Sequence, residues 1–157
     1  MQKEKRVRDS RSENTYMIMN RHINSYGRLF GGQLMEWIDE MAGIVSHRHS
    51  EAIVTTACVD NLNFKSAVYL GDILVLVGRI TYVGKTSMEV RIDSYVEDAN
   101  GMRRMINRAY EVMVALDGND NKVEVPRLII ETEAEKAEWE GAIKRNKLRR
   151  ERRKEGY

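Results

Sequence analysis

Asn24-Ser25-Tyr26-Gly27-Arg28-Leu29-Phe30-Gly31-Gly32-Gln33-Leu34-Met35-Glu36-Trp37-Ile38-Asp39-Glu40 is the stretch that decides the fold of this chain. Its first third, rich in Asn, Ser and Gly, reads as a loop, and the pair Gly31-Gly32 opens a helix. From Gly32 to about His47, winding at 3.6 residues per turn puts Leu34, Trp37, Ile38, Met41, Ile44 and Val45 on one broad arc. Gln33, Glu36, Glu40 and His47 take the other side. Asp39 falls on the border, beside Met35, Ala42 and Ser46. A helix with so wide an apolar stripe must be packed against something.

The segments on either side supply it. Thr15 to Met19 reads as a short strand before the loop, and four strand signals follow the helix. These are Ile53 to Leu62, Ile73 to Val83, Ser87 to Asp98 and Arg103 to Leu116, joined by turns at Gly71-Asp72, Gly84-Lys85 and Asn100-Gly101. Ile73 to Val83 is apolar enough to be buried on both faces. Ser87 to Asp98 alternates, with Met88, Val90, Ile92 and Val96 on a core face and Glu89, Arg91, Asp93 and Glu97 on a wet one. Short connections make the sheet antiparallel, so the class is α+β, with a sheet wrapped on one long helix.

The ends are different in kind. Residues 1–14 are polar with no apolar period and are expected to be flexible. Residues 15–130 form the folded domain, and 131–157 a charged helix, solvated, with a frayed basic tail. The chain has 157 residues, 26 Lys plus Arg against 24 Asp plus Glu, and a single cysteine, Cys58. That is one domain with a net charge of only +2, which creates no global field for nucleic acid. One cysteine excludes an internal disulfide and suits the cytoplasm. No signal peptide or bilayer-spanning run is present, so neither a membrane nor a nucleic-acid partner is expected.

The quoted stretch resembles the N-x-x-G-x-x-F-G-G…D-E signature of the hotdog-fold acyl-CoA thioesterases. Further matches follow in the same order: Thr56-Ala57-Cys58-Val59-Asp60, Phe64, Val68, Gly71-Asp72, Tyr82 to Val90, and Val125-Pro126 before Glu131-Thr132-Glu133. The resemblance spans roughly Thr15 to Glu133. It implies a hotdog fold, a dimer of sheets joined edge to edge, a trimer of dimers, and active sites between subunits. Two prolines usual in the family are replaced here by Asn20 and Ala67, both in loops or at strand edges.

Hydrolysis of a thioester needs an activated water on one side of the carbonyl and stabilisation of the oxyanion on the other. Gly31 and Gly32 leave unpaired N–H groups at a helix start, and the resemblance makes Gly32 the oxyanion donor; on sequence alone the pair also suits a plain tight turn. By resemblance Asp39 is general base on water, or the nucleophile itself, and Asn24 reaches the Asp39 of another subunit. The helical wheel alone does not choose Asp39 over Glu36 or Glu40. Thr56 is placed to hydrogen-bond the water or Asp39. Gly31, with its open backbone, and Phe64, at the border of an acyl tunnel, are expected to bind substrate. Lys85, Thr86 and Ser87 at a strand turn are expected to hold the phosphates of coenzyme A, which enters as part of the substrate, with no separate cofactor.

Other readings have weaker support. A hotdog hydratase or dehydratase would place a catalytic histidine near the helix start, where only His22 is close. A non-catalytic acyl-CoA binding protein would have little use for both Asn24 and Asp39. The basic tail could anchor a nucleic acid or a membrane surface, but it lacks interleaved aromatics apart from Tyr157. His47 and His49 have no third ligand at a convincing spacing, so no metal is expected. Cys58 has no sequence cue for activation, and no G-x-S-x-G elbow is present.

Overall fold

A computed structural model describes residues 3–60 and 62–157. The elements run β1 (Glu4–Arg6), α1 (Val7–Ser10), β2 (Ser12–Met17), a turn of 3-10 helix at Asn20–His22, α2 (Gly31–Ser50), β3 (Ile53–Asp60), β4 (Ile73–Val83), β5 (Ser87–Glu97), β6 (Arg103–Leu116), β7 (Arg127–Ile129) and α3 (Glu133–Glu155). Five strands form an antiparallel sheet in the order β2-β4-β5-β6-β3. It curls around α2, as a hotdog fold requires. Short connections account for the antiparallel pairing of β4, β5 and β6, whereas β2–β4 and β3–β6 join strands distant in sequence. Val83 pairs with Met88 across the turn at Gly84, and Glu97 with Arg103 across Asn100-Gly101.

Of the α2 stripe predicted from periodicity, Leu34, Trp37, Ile38, Met41 and Val45 are buried, joined by Ala42, Ser46 and His49, whereas Ile44 is only partly buried. The opposing strands contribute Leu74, Leu76, Ile80, Met88, Val90, Ile92, Ile106, Ala109 and Met113. Helix and sheet come into close contact at Gly78 of β4, where a Cβ would lie 2.7 Å from Met41 Cγ and 2.9 Å from Val45 Cγ2. Any larger residue there would lever α2 off the sheet.

Three expectations need correction. Ordered structure begins well before Thr15. Residues 4–6 pair in parallel with β7, Val7 and Ser10 are buried in α1, and β2 already pairs with β4 from Ser12. A lone apolar residue, Val7, and main-chain pairing hold this segment, and neither produces a periodic pattern. Residues 1 and 2 of the expected flexible segment lie outside the described residues.

The second correction concerns the supposedly wet face of β5. Glu89 and Asp93 are buried at 2% and 0% exposure, because α3 and long arginines cover them. Asp93 accepts from Arg91 Nη2 at 2.6 Å, Arg108 Nε at 2.7 Å and Arg79 Nη2 at 3.2 Å. Burial alone would raise the Asp93 carboxyl, but Arg91 and Arg108 outweigh it and hold it below the usual range.

Third, α3 is more than a solvated helix. Trp139 packs on Tyr82 with ring centroids 4.4 Å apart, and Ala142 and Arg149 are buried. Arg145 and Arg149 both pair with Glu89, and Arg149 and Arg152 with Asp60. The helix is regular to Glu155 and ends on Gly156 with a left-handed φ of 90°. Among the described residues, no helix is long and apolar enough to cross a membrane.

Candidate active site

The α2 N-terminus carries no side-chain cap: Phe30 precedes it in extended conformation, and its carbonyl accepts from Gln33 and Leu34 N–H. Gly31 and Gly32 N–H therefore have no partner among the described residues, at the positive end of a 20-residue helix. The Phe30 ring lies over Gly32 and the Phe64 ring beside Gly31: added Cβ atoms would come 2.5 Å from Phe30 Cε1 and 3.4 Å from Phe64 Cζ. Both rings are more than half exposed. Only glycine leaves room for a ligand atom between those N–H groups and the aromatic edges.

Two turns along the same helix, Asp39 projects at the border of the buried stripe and is exposed. Its Oδ1 accepts a 2.6 Å hydrogen bond from Thr56 Oγ1 on β3. This contact depends on a β-bulge. The β3–β6 register shifts between Thr56 and Cys58, so Ala57 is an extra residue. Because of that insertion Thr56 and Val59 both turn toward α2, whereas Cys58 and Asp60 turn toward α3.

Gly32, Ile38, Asp39, Thr56, Val59 and Glu111 line one cavity of about 310 Å³. Glu111 of β6 shares the inward face with Ala109 and Met113 and is 1% exposed. Burial first, and then the facing Asp39 carboxyl, push the Glu111 carboxyl up to about 8. Its Oε2 atom has no hydrogen-bond partner among the described residues. Glu111 was not among the residues expected at the site. Its signal in the sequence was a lone carboxylate in the apolar run Ala109-Tyr110-Glu111-Val112-Met113, in phase with the core positions.

Asn24 stands apart from this group. Its Oδ1 accepts from Tyr26 N–H at 2.9 Å and Arg28 N–H at 3.2 Å, closing a tight loop. It lines a neighbouring cavity of about 430 Å³ with Gly31, Leu34, Phe64 and Lys65. A single chain thus brings together Gly32, Asp39 and Thr56 and places Asn24, Gly31 and Phe64 in the next hollow. Lys85, Thr86 and Ser87 line neither. Lys85 is 3.5 Å from Glu124, and the Thr86 carbonyl accepts from Ala115 N–H.

The histidines have structural roles. His22 is buried, its Nδ1 accepts from Met19 N–H at 3.0 Å, and its ring meets Trp37 edge-on. It is not among the residues that line the Gly32–Asp39 cavity. His47 and His49 bond the carbonyls of Ala52 and Pro126. No group of three or more His, Cys, Asp or Glu is arranged to hold a metal ion among the described residues.

Residues 26–101 match the family model of the thioesterase superfamily. Over 148 residues the chain is 32% identical to an uncharacterized acyl-CoA thioester hydrolase of Bacillus subtilis, covering 94% of this chain and 86% of that one. It is 31% identical over 134 residues to the human cytosolic acyl coenzyme A thioester hydrolase, covering 83% of this chain but only 35% of that longer protein. Several mammalian relatives are likewise matched over only about a quarter to a third of their length. The structure superposes on an acyl-CoA hydrolase of Staphylococcus aureus, solved with butyryl coenzyme A and coenzyme A, with a TM-score of 0.92 and 32% identity, covering 97% of this chain and 93% of that one. That hydrolase has also been solved as variants with an aspartate, an asparagine or a threonine replaced by alanine. A hexameric acyl-CoA thioesterase superposes with a TM-score of 0.91 and 33% identity, covering 96% and 97%.

Proposed function

This chain belongs to the thioesterase superfamily, and we propose that it is an acyl-CoA thioester hydrolase whose reaction centres on Asp39 and the N-terminus of α2. The observation that carries this reading is the cavity that joins the unpaired N–H of Gly32 at the helix start to the hydrogen-bonded carboxylate of Asp39. The thioester carbonyl oxygen is received by Gly32 N–H, with Gly31 beside it, where the helix dipole favours the negative charge that develops. Asp39 takes a proton from a water, which attacks the carbonyl carbon. Collapse of the tetrahedral oxyanion breaks the C–S bond, and the departing thiolate recovers the proton as coenzyme A. Thr56 occupies Oδ1 as a donor, which orients the carboxylate toward the water and makes it a poorer nucleophile. Water and these groups suffice, with no separate cofactor.

A dimer completes the site. β3 is an edge strand, and Ile53 and Val59 on it are exposed at 57% and 41%. Pairing two such edges covers those side chains and removes an open edge. It also brings a second chain, and with it a second Asn24, toward Asp39. Phe64 borders the acyl group, and Lys85, Thr86 and Ser87 meet the coenzyme phosphates of a substrate bound across subunits. The hexameric neighbour supports a trimer of such dimers, and the cytosolic relative supports a cytoplasmic location. The asparagine, aspartate and threonine replaced in the staphylococcal variants are spaced along their chain as Asn24, Asp39 and Thr56 are here, which supports these roles.

The test is release of free thiol from acyl-CoA esters from acetyl to palmitoyl. Asp39→Ala is expected to lose at least about 100-fold in kcat, the scale of a positioned base. Glu36→Ala, one turn away with its carboxylate on Gln33, is expected to lose less than about threefold. Equal losses in the two variants would remove Asp39 from its role.

A further inference from the structure

Glu111 has no part in the reaction as written above, yet it is the most deeply buried group in the cavity after Ile38. A glutamate on the core face of a central strand costs several kcal/mol as an unpaired anion, so it persists only with a proton or a cation. No cation faces it. From α2 it meets Asp39, with Glu36 lining the same cavity; from β3, Thr56 and Val59; from β5, Val90, its register partner. Arg91, Arg145 and Arg149 lie on the far face of the sheet, bound to Asp93 and Glu89.

We infer that Glu111 is the positioning residue for the catalytic aspartate: its carboxyl keeps a proton and donates it to Asp39, while Thr56 donates to Oδ1. This rests on Asp39 being the base. Two donors from two different strands fix the plane of the Asp39 carboxylate and leave a lone pair directed at the water. The pair carries one negative charge. Loss of the shared proton puts a second carboxylate charge beside Asp39 and beside the oxyanion that forms at Gly32, which opposes the transition state.

The consequence is an alkaline limit on turnover that belongs to Glu111 and not to the base. The elevated titration range of that carboxyl puts the limit near pH 8. Glutamine at this position still donates an N–H but cannot ionise; alanine does neither.

The experiment measures kcat and KM between pH 6 and 9.5 on whichever of acetyl-, butyryl- and palmitoyl-CoA is cleaved fastest. The wild-type chain is compared with Glu111→Gln, Glu111→Ala and Asp39→Asn, and thermal unfolding confirms that each is folded. Wild-type kcat is expected to fall about tenfold or more across the alkaline range, at about tenfold per pH unit past the limit. Glu111→Gln is expected to lack that fall and to recover most of the turnover that Glu111→Ala loses at pH 7. The loss in Glu111→Ala should lie in kcat, with KM moved less than about twofold, since the side chain does not touch substrate.

An unchanged alkaline fall in Glu111→Gln, or equal losses in Gln and Ala, overturns the inference. With Asp39→Asn inactive, that result leaves the assignment of the base intact. Full turnover in Asp39→Asn overturns both.

Discussion

Replacing Glu111 by glutamine should stabilise this protein, and the size of the effect follows from the burial of one carboxyl. An exposed glutamate titrates near 4.5, whereas burial and Asp39 push Glu111 up to about 8. Between those values the unfolded chain has released the proton that the folded chain still holds. Stability therefore falls as pH rises from 4.5, by about 1.4 kcal/mol per pH unit, and levels off above 8. At pH 7 the ceiling on this cost is roughly 3 kcal/mol, and at pH 5 it is below about 1 kcal/mol. Glutamine bears none of it but leaves its own amide incompletely bonded, so the expected gain is about 2 kcal/mol at pH 7. For a chain of this length that is a rise in the unfolding midpoint of roughly 4 to 8 °C. Thermal unfolding of the wild-type chain and Glu111→Gln at pH 5 and pH 7 tests it. A variant no more stable than wild type at pH 7, or a gain equal at the two pH values, would refute a buried, protonated Glu111.

Gly32→Ala puts a Cβ 2.5 Å from the Phe30 ring, which is half exposed and free to swing aside. Because alanine favours a helix by about 1 kcal/mol, the midpoint should hold or rise. Turnover should still fall at least about tenfold as the methyl blocks approach to the N–H, and near-normal turnover would remove Gly32 from the oxyanion site. Arg149→Ala leaves Glu89 with Arg145 and Thr81, and Asp60 with the exposed Arg152. Loss of one partner from this buried network should cost roughly 3 kcal/mol, visible in urea unfolding, and a change below about 1 kcal/mol would mean that α3 is held by Trp139 and Ala142 instead. His49 is buried on the Pro126 carbonyl, and burial pushes its imidazole below the usual range. The unfolded chain then takes up a proton below pH 6.5 that the folded chain resists, so stability is lost on acidification through that range. His49→Gln should flatten the stability profile between pH 5 and 6.5, and an unaltered slope would assign the acid sensitivity elsewhere.

Apolar periodicity was enough to determine the helix and the strands along the chain, but not their order in the sheet, where β2 pairs with β4 and β3 with β6. The stripe from Leu34 to Val45 could only be a buried helix face, and Ile73 to Val83 and Arg103 to Leu116 begin and end where composition changes. These are local properties, set by which residues recur at 3.6 or 2 positions. The family resemblance also named Gly31, Gly32, Asp39 and Thr56 as candidates, and Gly32, Asp39 and Thr56 line one cavity.

What needed the tertiary structure was everything that depends on which distant residues meet. The wet face of β5 was misread because alternation marks a polar face without saying what covers it. Arg145 and Arg149, some 60 residues on, turn that face into a buried ionic layer. The N-terminal strand has no periodicity because its bonds are main-chain bonds to β7. The bulge at Ala57 sets the phase of β3 and so decides that Thr56, and not Cys58, reaches Asp39. The meeting of Glu111 with Asp39 became visible only when β6 was laid beside β3 and under α2. A carboxyl's titration is set by the dielectric and charges around it in space, and those come from parts of the chain more than 50 residues away.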